Sequence, residues 1–173
     1  MTDEGFRLRD LREPSALWRA DSWLARRSTL WEGERPLGTL RIEGLLGRSA
    51  RLQCGAGAWR FRAEGLWGRR RARQESAVGT ELVYTPRAFS PGLLRMPRGV
   101  ELRWRHLSLW SGIWAWCRGD EEVIRFERRS RFPRASHAVT WAPEAREWEE
   151  LEALVGLGWW MILDRRRRSA RHG

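Results

Sequence analysis

The chain has 173 residues, 42% hydrophobic and 32% charged, which is the composition of a globular domain and excludes a disordered or fibrous chain. That length suits one domain with a sizeable core, and two cysteines, Cys54 and Cys117, exclude a disulfide framework and read as small buried hydrophobes. A net charge of +11 points to polyanionic partners, either acidic lipid headgroups or nucleic acid.

The first ten residues, Met1 to Asp10, mix charges and lack the apolar core of a secretory signal, so a cytoplasmic protein is expected. Residues 1–27 read as an N-terminal extension. Pro14 breaks its first segment, and Ser15–Leu24, with Leu17, Trp18 and Trp23, reads as a short helix.

From Ser28 the texture changes to short alternating runs between glycine and proline turns. Ser28–Glu32 comes first, followed by a turn at Gly33–Pro36. Gly38–Gly44 puts Leu40 and Ile42 on one face, and Arg51–Cys54 pairs Leu52 with Cys54. Trp59–Glu64 sets Trp59, Phe61 and Ala63 against Arg60, Arg62 and Glu64, a period of two with one wet face. Thr80–Tyr84, Val100–Arg105, Ile113–Cys117, Val123–Phe126 and His137–Trp141 continue the series, with a turn at Gly119-Asp120. About nine strands at 8–12-residue spacing predict an all-β barrel or sandwich.

The last element is a helix predicted over 143–167. Pro143 opens it, and Glu144, Glu147, Glu149 and Glu150 crowd its positive end; four arginines, Arg165 to Arg168, follow Asp164 at its negative end. Residues 169–173 read as a basic tail. From Ala153 to Leu163 there is no polar side chain. A run of about 10–14 apolar residues is short for a membrane span, and a helix apolar on every side must be enclosed on every side. The strands before it are the natural container. Gly156 and Gly158 imply close packing against a wall, with Trp159 and Trp160 filling wider space.

Thirteen tryptophans are scattered through the chain, which favours a core of bulky rings whose indole N–H groups reach polar partners. Trp110, Trp114 and Trp116 form the one local cluster, with Trp114 and Trp116 on a shared face suited to a protein contact.

Catalytic and metal-binding patterns are lacking. The three histidines, His106, His137 and His172, show no ligand spacing with each other or with cysteine, and Gly55-Ala-Gly57 precedes a strand rather than a helix. No catalytic residue, metal or cofactor is expected, and the chain reads as a non-enzymatic protein.

Charge carries the one sharp functional signal. Every basic residue among the 33 is arginine, with no lysine and no asparagine, which reads as codon bias and warns against treating each arginine as a phosphate ligand. The charge is nevertheless local. Arg69, Arg70, Arg71 and Arg73 form one cluster; Arg165, Arg166, Arg167 and Arg168, with Arg171, form a second. Together they hold nine of the eleven net charges, and neither contains an acid.

The order of short strands followed by one apolar helix resembles the tubby C-terminal, phospholipid scramblase and LURP-one-related superfamily, in a bacterial form. The likeness spans about residues 28–168. It rests on Gly79–Tyr84, Gly99–Trp104, Trp114–Trp116, Glu122–Phe126 and above all Leu154–Leu163. The resemblance implies a mainly β fold: a closed antiparallel barrel of about 9–12 strands wrapped around a buried hydrophobic C-terminal helix. Tubby proteins bind phosphoinositides through basic residues, but no family lipid-binding, calcium or palmitoylation motif aligns here, so no functional residue carries over.

The expected partner is an anionic membrane surface met peripherally by Arg69, Arg70, Arg71, Arg73 and Arg165 to Arg168. A nucleic-acid ligand for the same arginines and a protein-interaction module are the alternatives. The chain is expected to be a monomer and not an integral membrane protein.

Overall fold

The computed structural model describes residues 7–22, 26–55, 57–65, 68–76, 80–108, 110–130 and 134–171. Twelve strands make up most of it. They are β1 (Ser15–Ala20), β2 (Arg27–Glu32), β3 (Arg35–Glu43), β4 (Ser49–Cys54), β5 (Gly57–Glu64) and β6 (Arg69–Gln74). They continue as β7 (Glu81–Thr85), β8 (Gly92–Arg95), β9 (Glu101–Ser108), β10 (Ile113–Arg118), β11 (Glu121–Ser130) and β12 (Ser136–Trp141). Each pairs antiparallel with its sequence neighbours, and β1 pairs with β12, so the sheet closes into a barrel with no free edge. The mainly β fold with its C-terminal helix is therefore as the sequence predicts.

Three strands escape the sequence pattern. Ser15–Ala20 is a strand, not the start of a helix, because Ala16, Trp18 and Ala20 alternate into the core. It completes the barrel, so the barrel begins before residue 28; residues 23 and 24 of the expected helix lie outside the described residues. Arg69–Gln74 hides a strand inside an arginine run, with Arg70 and Ala72 buried. Gly92–Arg95 is four residues long and lies between prolines.

The helix is divided. Pro143–Arg146 forms α1, one turn long, and turns at 147–150 lead into α2 (Leu151–Arg171). The predicted 143–167 helix is thus broken near Trp148, and it continues through the expected tail to Arg171. Every residue from Leu151 to Leu163 is buried. Gly156 and Gly158 are where the helix meets the wall. A Cβ on Gly156 would lie 2.8 Å from Leu52 Cδ2, and one on Gly158 would lie 2.5 Å from Phe126 Cζ. Trp159 stacks on Trp18 at 5.9 Å, and Trp160 on Phe61 at 6.1 Å.

The tryptophans are core, as their scatter suggests, but their N–H groups are less satisfied than expected. Trp116 Nε1 donates to the Leu154 carbonyl at 3.0 Å, while those of Trp18, Trp59, Trp141, Trp159 and Trp160 have no hydrogen-bond partner. The shared Trp114/Trp116 face is not a surface contact: Trp116 is fully buried inside the barrel.

Replacing Gly158 with Ala should destabilise the protein by about 1–3 kcal/mol through overpacking, although alanine favours helix by about 1 kcal/mol. Phe126 cannot yield, being fully buried edge-on to Trp104. A urea midpoint at or above that of the parent would show instead that the wall gives way.

Candidate functional site

Strand parity fixes two unlike ends. Consecutive antiparallel strands put the β1–β2, β3–β4, β5–β6, β7–β8, β9–β10 and β11–β12 connections at one end and the remaining turns at the other. Since β12 runs toward the second end, α2 enters there and leaves among the first set. The entrance is closed. Leu8 and Leu11 are buried, the Leu8 N–H donates to Glu152 Oε1 at 2.9 Å, and Arg146 Nε donates to the Arg9 carbonyl at 2.8 Å. Its charges are mixed: Glu34, Glu75, Asp120, Glu144, Glu147 and Glu149 stand among Arg9, Arg12, Arg98 and Arg146.

The end where the helix leaves is basic. Arg26, Arg48, Arg87 and Arg134 are exposed on its connections, as are Arg165, Arg166 and Arg168 on the helix. Asp21 is the single carboxylate on these connections among the described residues, and it pairs with Arg27 at 3.2 Å. The same end carries exposed apolar side chains. Leu45, Leu46, Phe89 and Trp110 are each at least 68% exposed, and they are the exposed large hydrophobics among the described residues. All four fall on this end, on three different connections.

The two arginine clusters meet here through one residue. Arg70 points into the barrel and donates to Asp164 Oδ2 at 2.7 Å, with its guanidinium 4.7 Å from the Trp160 ring centre. Arg69, Arg71 and Arg73 lie on the outer wall. Arg69 is registered opposite Glu64, Arg71 donates to Glu64 at 2.8 Å and Glu81 at 3.1 Å, and Arg73 lies 3.9 Å from Glu81. The acids missing from the cluster in sequence are thus supplied by neighbouring strands.

The helix arginines divide between two cavities on either side of α2. One, of about 310 Å³, is lined by Arg48, Arg70, Asp164, Arg167 and Arg168 along with loop glycines. Asp164 supplies a built-in anion there, accepting from Arg168 at 2.7 Å as well as from Arg70 and lying 3.8 Å from Arg167. Burial alone would raise the Asp164 pKa, but the Arg70 hydrogen bond and the Arg70 and Arg168 charges outweigh it and hold the carboxyl below its ordinary range.

The other cavity is larger, about 400 Å³, and is lined by His106, Gly112, Trp114, Arg128, His137, Ile162, Arg165, Arg166 and Ser169. No carboxylate is among these described residues. Register brings the set together: His106 lies opposite Trp114 on β9 and β10, and Arg128 opposite His137 on β11 and β12. His106 stacks on Trp114 at 3.9 Å, and Arg165 lies 5.0 Å from the same ring. Arg128 donates to the Trp110 carbonyl and lies over Gly112, whose positive φ of 63° a side chain would strain.

Both imidazoles register the positive field. Burial, then the Arg165 charge, lowers the His106 pKa. Burial, then Arg166 and Arg128, pushes that of His137 down to about 3, so it is neutral near pH 7. His106, Arg128 and His137 are the residues that sequence reasoning passed over, because they sit far apart in the chain with no shared spacing.

No protein-family model, curated protein or solved structure matches this chain.

Proposed function

We propose that this protein is a tubby- and scramblase-like barrel that binds, without catalysis, to an acidic membrane surface through the end from which its helix emerges. The observation that carries the reading is the coincidence there of exposed arginines with Leu45, Leu46, Phe89 and Trp110. Each arginine close to an acidic leaflet contributes about 1 kcal/mol, and each buried Leu or Phe side chain about 1.5–3 kcal/mol. Stable peripheral attachment needs two such signals together. Peripheral rather than integral attachment is in keeping with the helix: among the described residues, no helix is long and apolar enough to cross a membrane. The order of barrel strands and enclosed helix supports the superfamily likeness. The protein would act as a monomer on the cytoplasmic face.

Nucleic acid would use the same arginines but gives no role to the apolar loop tips. Co-sedimentation with vesicles decides between the two. Recovery is expected with vesicles containing phosphatidylglycerol, falling with salt, and not with phosphatidylcholine alone. Leu46→Ser combined with Trp110→Ser should weaken it by about tenfold or more. Equal recovery on both vesicles would overturn the proposal. So would a salt-steep DNA mobility shift that the double variant leaves unchanged while vesicles are not bound.

A further inference from the structure

We infer that residues 7–13, which close the barrel entrance, form a pH-sensitive latch that is released when Glu152 ionises. The inference is independent of the membrane reading, because the entrance lies at the end opposite the exposed apolar loop tips.

The latch is a short strap over the start of α2. A 3₁₀ turn at Leu8–Asp10 brings Leu8 and Leu11 into the core, where both are buried, and Leu11 N–H donates to the Leu8 carbonyl at 3.2 Å. The strap ends at Pro14, whose carbonyl accepts from Trp141 N–H at 3.1 Å. Residues 7–13 can therefore lift while β1 keeps its pairing with β12 and β2.

Beneath the strap sits Glu152, in the first turn of α2 and 5% exposed. Backbone donors reach its carboxylate: Leu8 N–H at 2.9 Å to Oε1, and its own N–H. The space beside it is a cavity of about 10 Å³ whose lining includes Leu8, Trp18, Leu52 and Val155. That is room for about one water, far short of the hydration shell of an ionised carboxylate. Burying such a group is costly unless a cation pairs with it. Lifting the strap opens Glu152 to bulk water, so ionisation and release favour each other.

The surrounding charges do not offset that cost. Arg7 and Arg9 come from the strap but are exposed, as is Asp10, and Arg146 of α1 is engaged with the Arg9 carbonyl. Cys54 of β4 lines the cavity, and Glu150 just before α2 is a second buried acid. Trp18, Leu30 and Leu37, from β1, β2 and β3, bring no charge to the cavity. Burial raises the Glu152 pKa, against its backbone hydrogen bonds and the weaker effects of Arg7 and Arg9. The docked value thus lies above the released one of about 4.3. What Glu152 contributes to closure is complete below the released value and is lost as pH rises through the docked one. Acid holds the latch shut.

Amide hydrogen exchange in the full chain, followed by NMR from about pH 4 to pH 8 and corrected for intrinsic rates, reads the opening at Leu8 and Leu11. Their opening constant should rise about tenfold per pH unit above about pH 4.3 and level off past the docked value. Leu40 and Phe61, in the barrel wall, should show no such slope. Glu152→Gln keeps an acceptor for Leu8 N–H and cannot ionise, so opening should stay near the parent's acid level at every pH. Glu150→Gln should leave the slope in place. Arg146→Gln, which removes the donor to the Arg9 carbonyl, should raise opening by about tenfold at every pH with the slope unchanged. Opening in the parent that does not vary with pH overturns the latch, as does a slope that survives in Glu152→Gln or vanishes in Glu150→Gln. A slope shared by Leu40 and Phe61 would mean that the whole barrel opens, and it overturns the latch as well.

Discussion

Replacing Leu157 with Asp is expected to abolish the folded state. Leu157 lies fully buried on α2, between the two glycines that touch the barrel wall. Removing its side chain alone would cost about 2–5 kcal/mol. The carboxylate adds more: ionised, it is in a site without a cation; protonated, it leaves a hydroxyl and a carbonyl without partners. Together these terms approach the whole stability of a domain, about 5–15 kcal/mol. The variant should lose near-UV tryptophan dichroism and its cooperative urea transition. Burial would raise the pKa of the new carboxyl, so residual stability would be greatest below about pH 4 and lost as pH rises through the raised value. A variant that stays cooperative at neutral pH would mean that the helix is not enclosed.

That expectation can be formed from sequence alone, because an unbroken apolar run of this length with charged ends has few other homes. Gly156 and Gly158 even name the contact positions. The container is less legible. Alternation exposes β5, where every second side chain is apolar, but not β6, where the inward residues are Arg70 and Ala72 in a run of arginines. A buried arginine is invisible to a hydrophobic period; only its partner Asp164, 94 residues away, makes the position tenable. In β1 the tryptophan and leucine spacing fits a helix as well as a strand, and closure with β12 decides the matter.

The missed strands explain why the site was only half visible. Which turns share an end depends on strand parity, and overlooking β6 and then β8 misplaces the connections between them. With twelve strands counted, Leu45, Leu46, Phe89 and Trp110 fall together; with nine, Phe89 falls at the end opposite the other three. The arginines of the helix end were legible because charge runs are local in sequence. His106, Arg128 and His137 were not, because cross-strand register assembles them. Of the eight arginines first singled out, Arg69, Arg71 and Arg73 face acids on the outer wall, while Arg70 and Arg165 to Arg168 gather around the helix end.

Asp164 ties fold to site, and its removal should be the most costly change at the end where the helix leaves. Its side chain is 14% exposed and that of Arg70 is 9% exposed, so the pair is nearly buried. Asp164→Ala leaves the Arg70 guanidinium enclosed without an anion, and its Nε and Nη1 already lack hydrogen-bond partners. Breaking a buried pair in this way costs about 3–5 kcal/mol. Replacing both residues, as Arg70→Met with Asp164→Leu, should recover most of the loss, because desolvated charge is then removed from both sides. The pH dependence has a definite sign. The folded Asp164 pKa is depressed, so its contribution is present above the unfolded carboxyl value of about 3.9 and is lost as pH falls through the lower folded value. The stability gap between parent and Asp164→Ala should therefore be flat from neutral pH to about pH 5 and narrow below about pH 4. A gap under about 1 kcal/mol, typical of a surface pair, would show that this ion pair is solvated and that the helix end is held by packing alone.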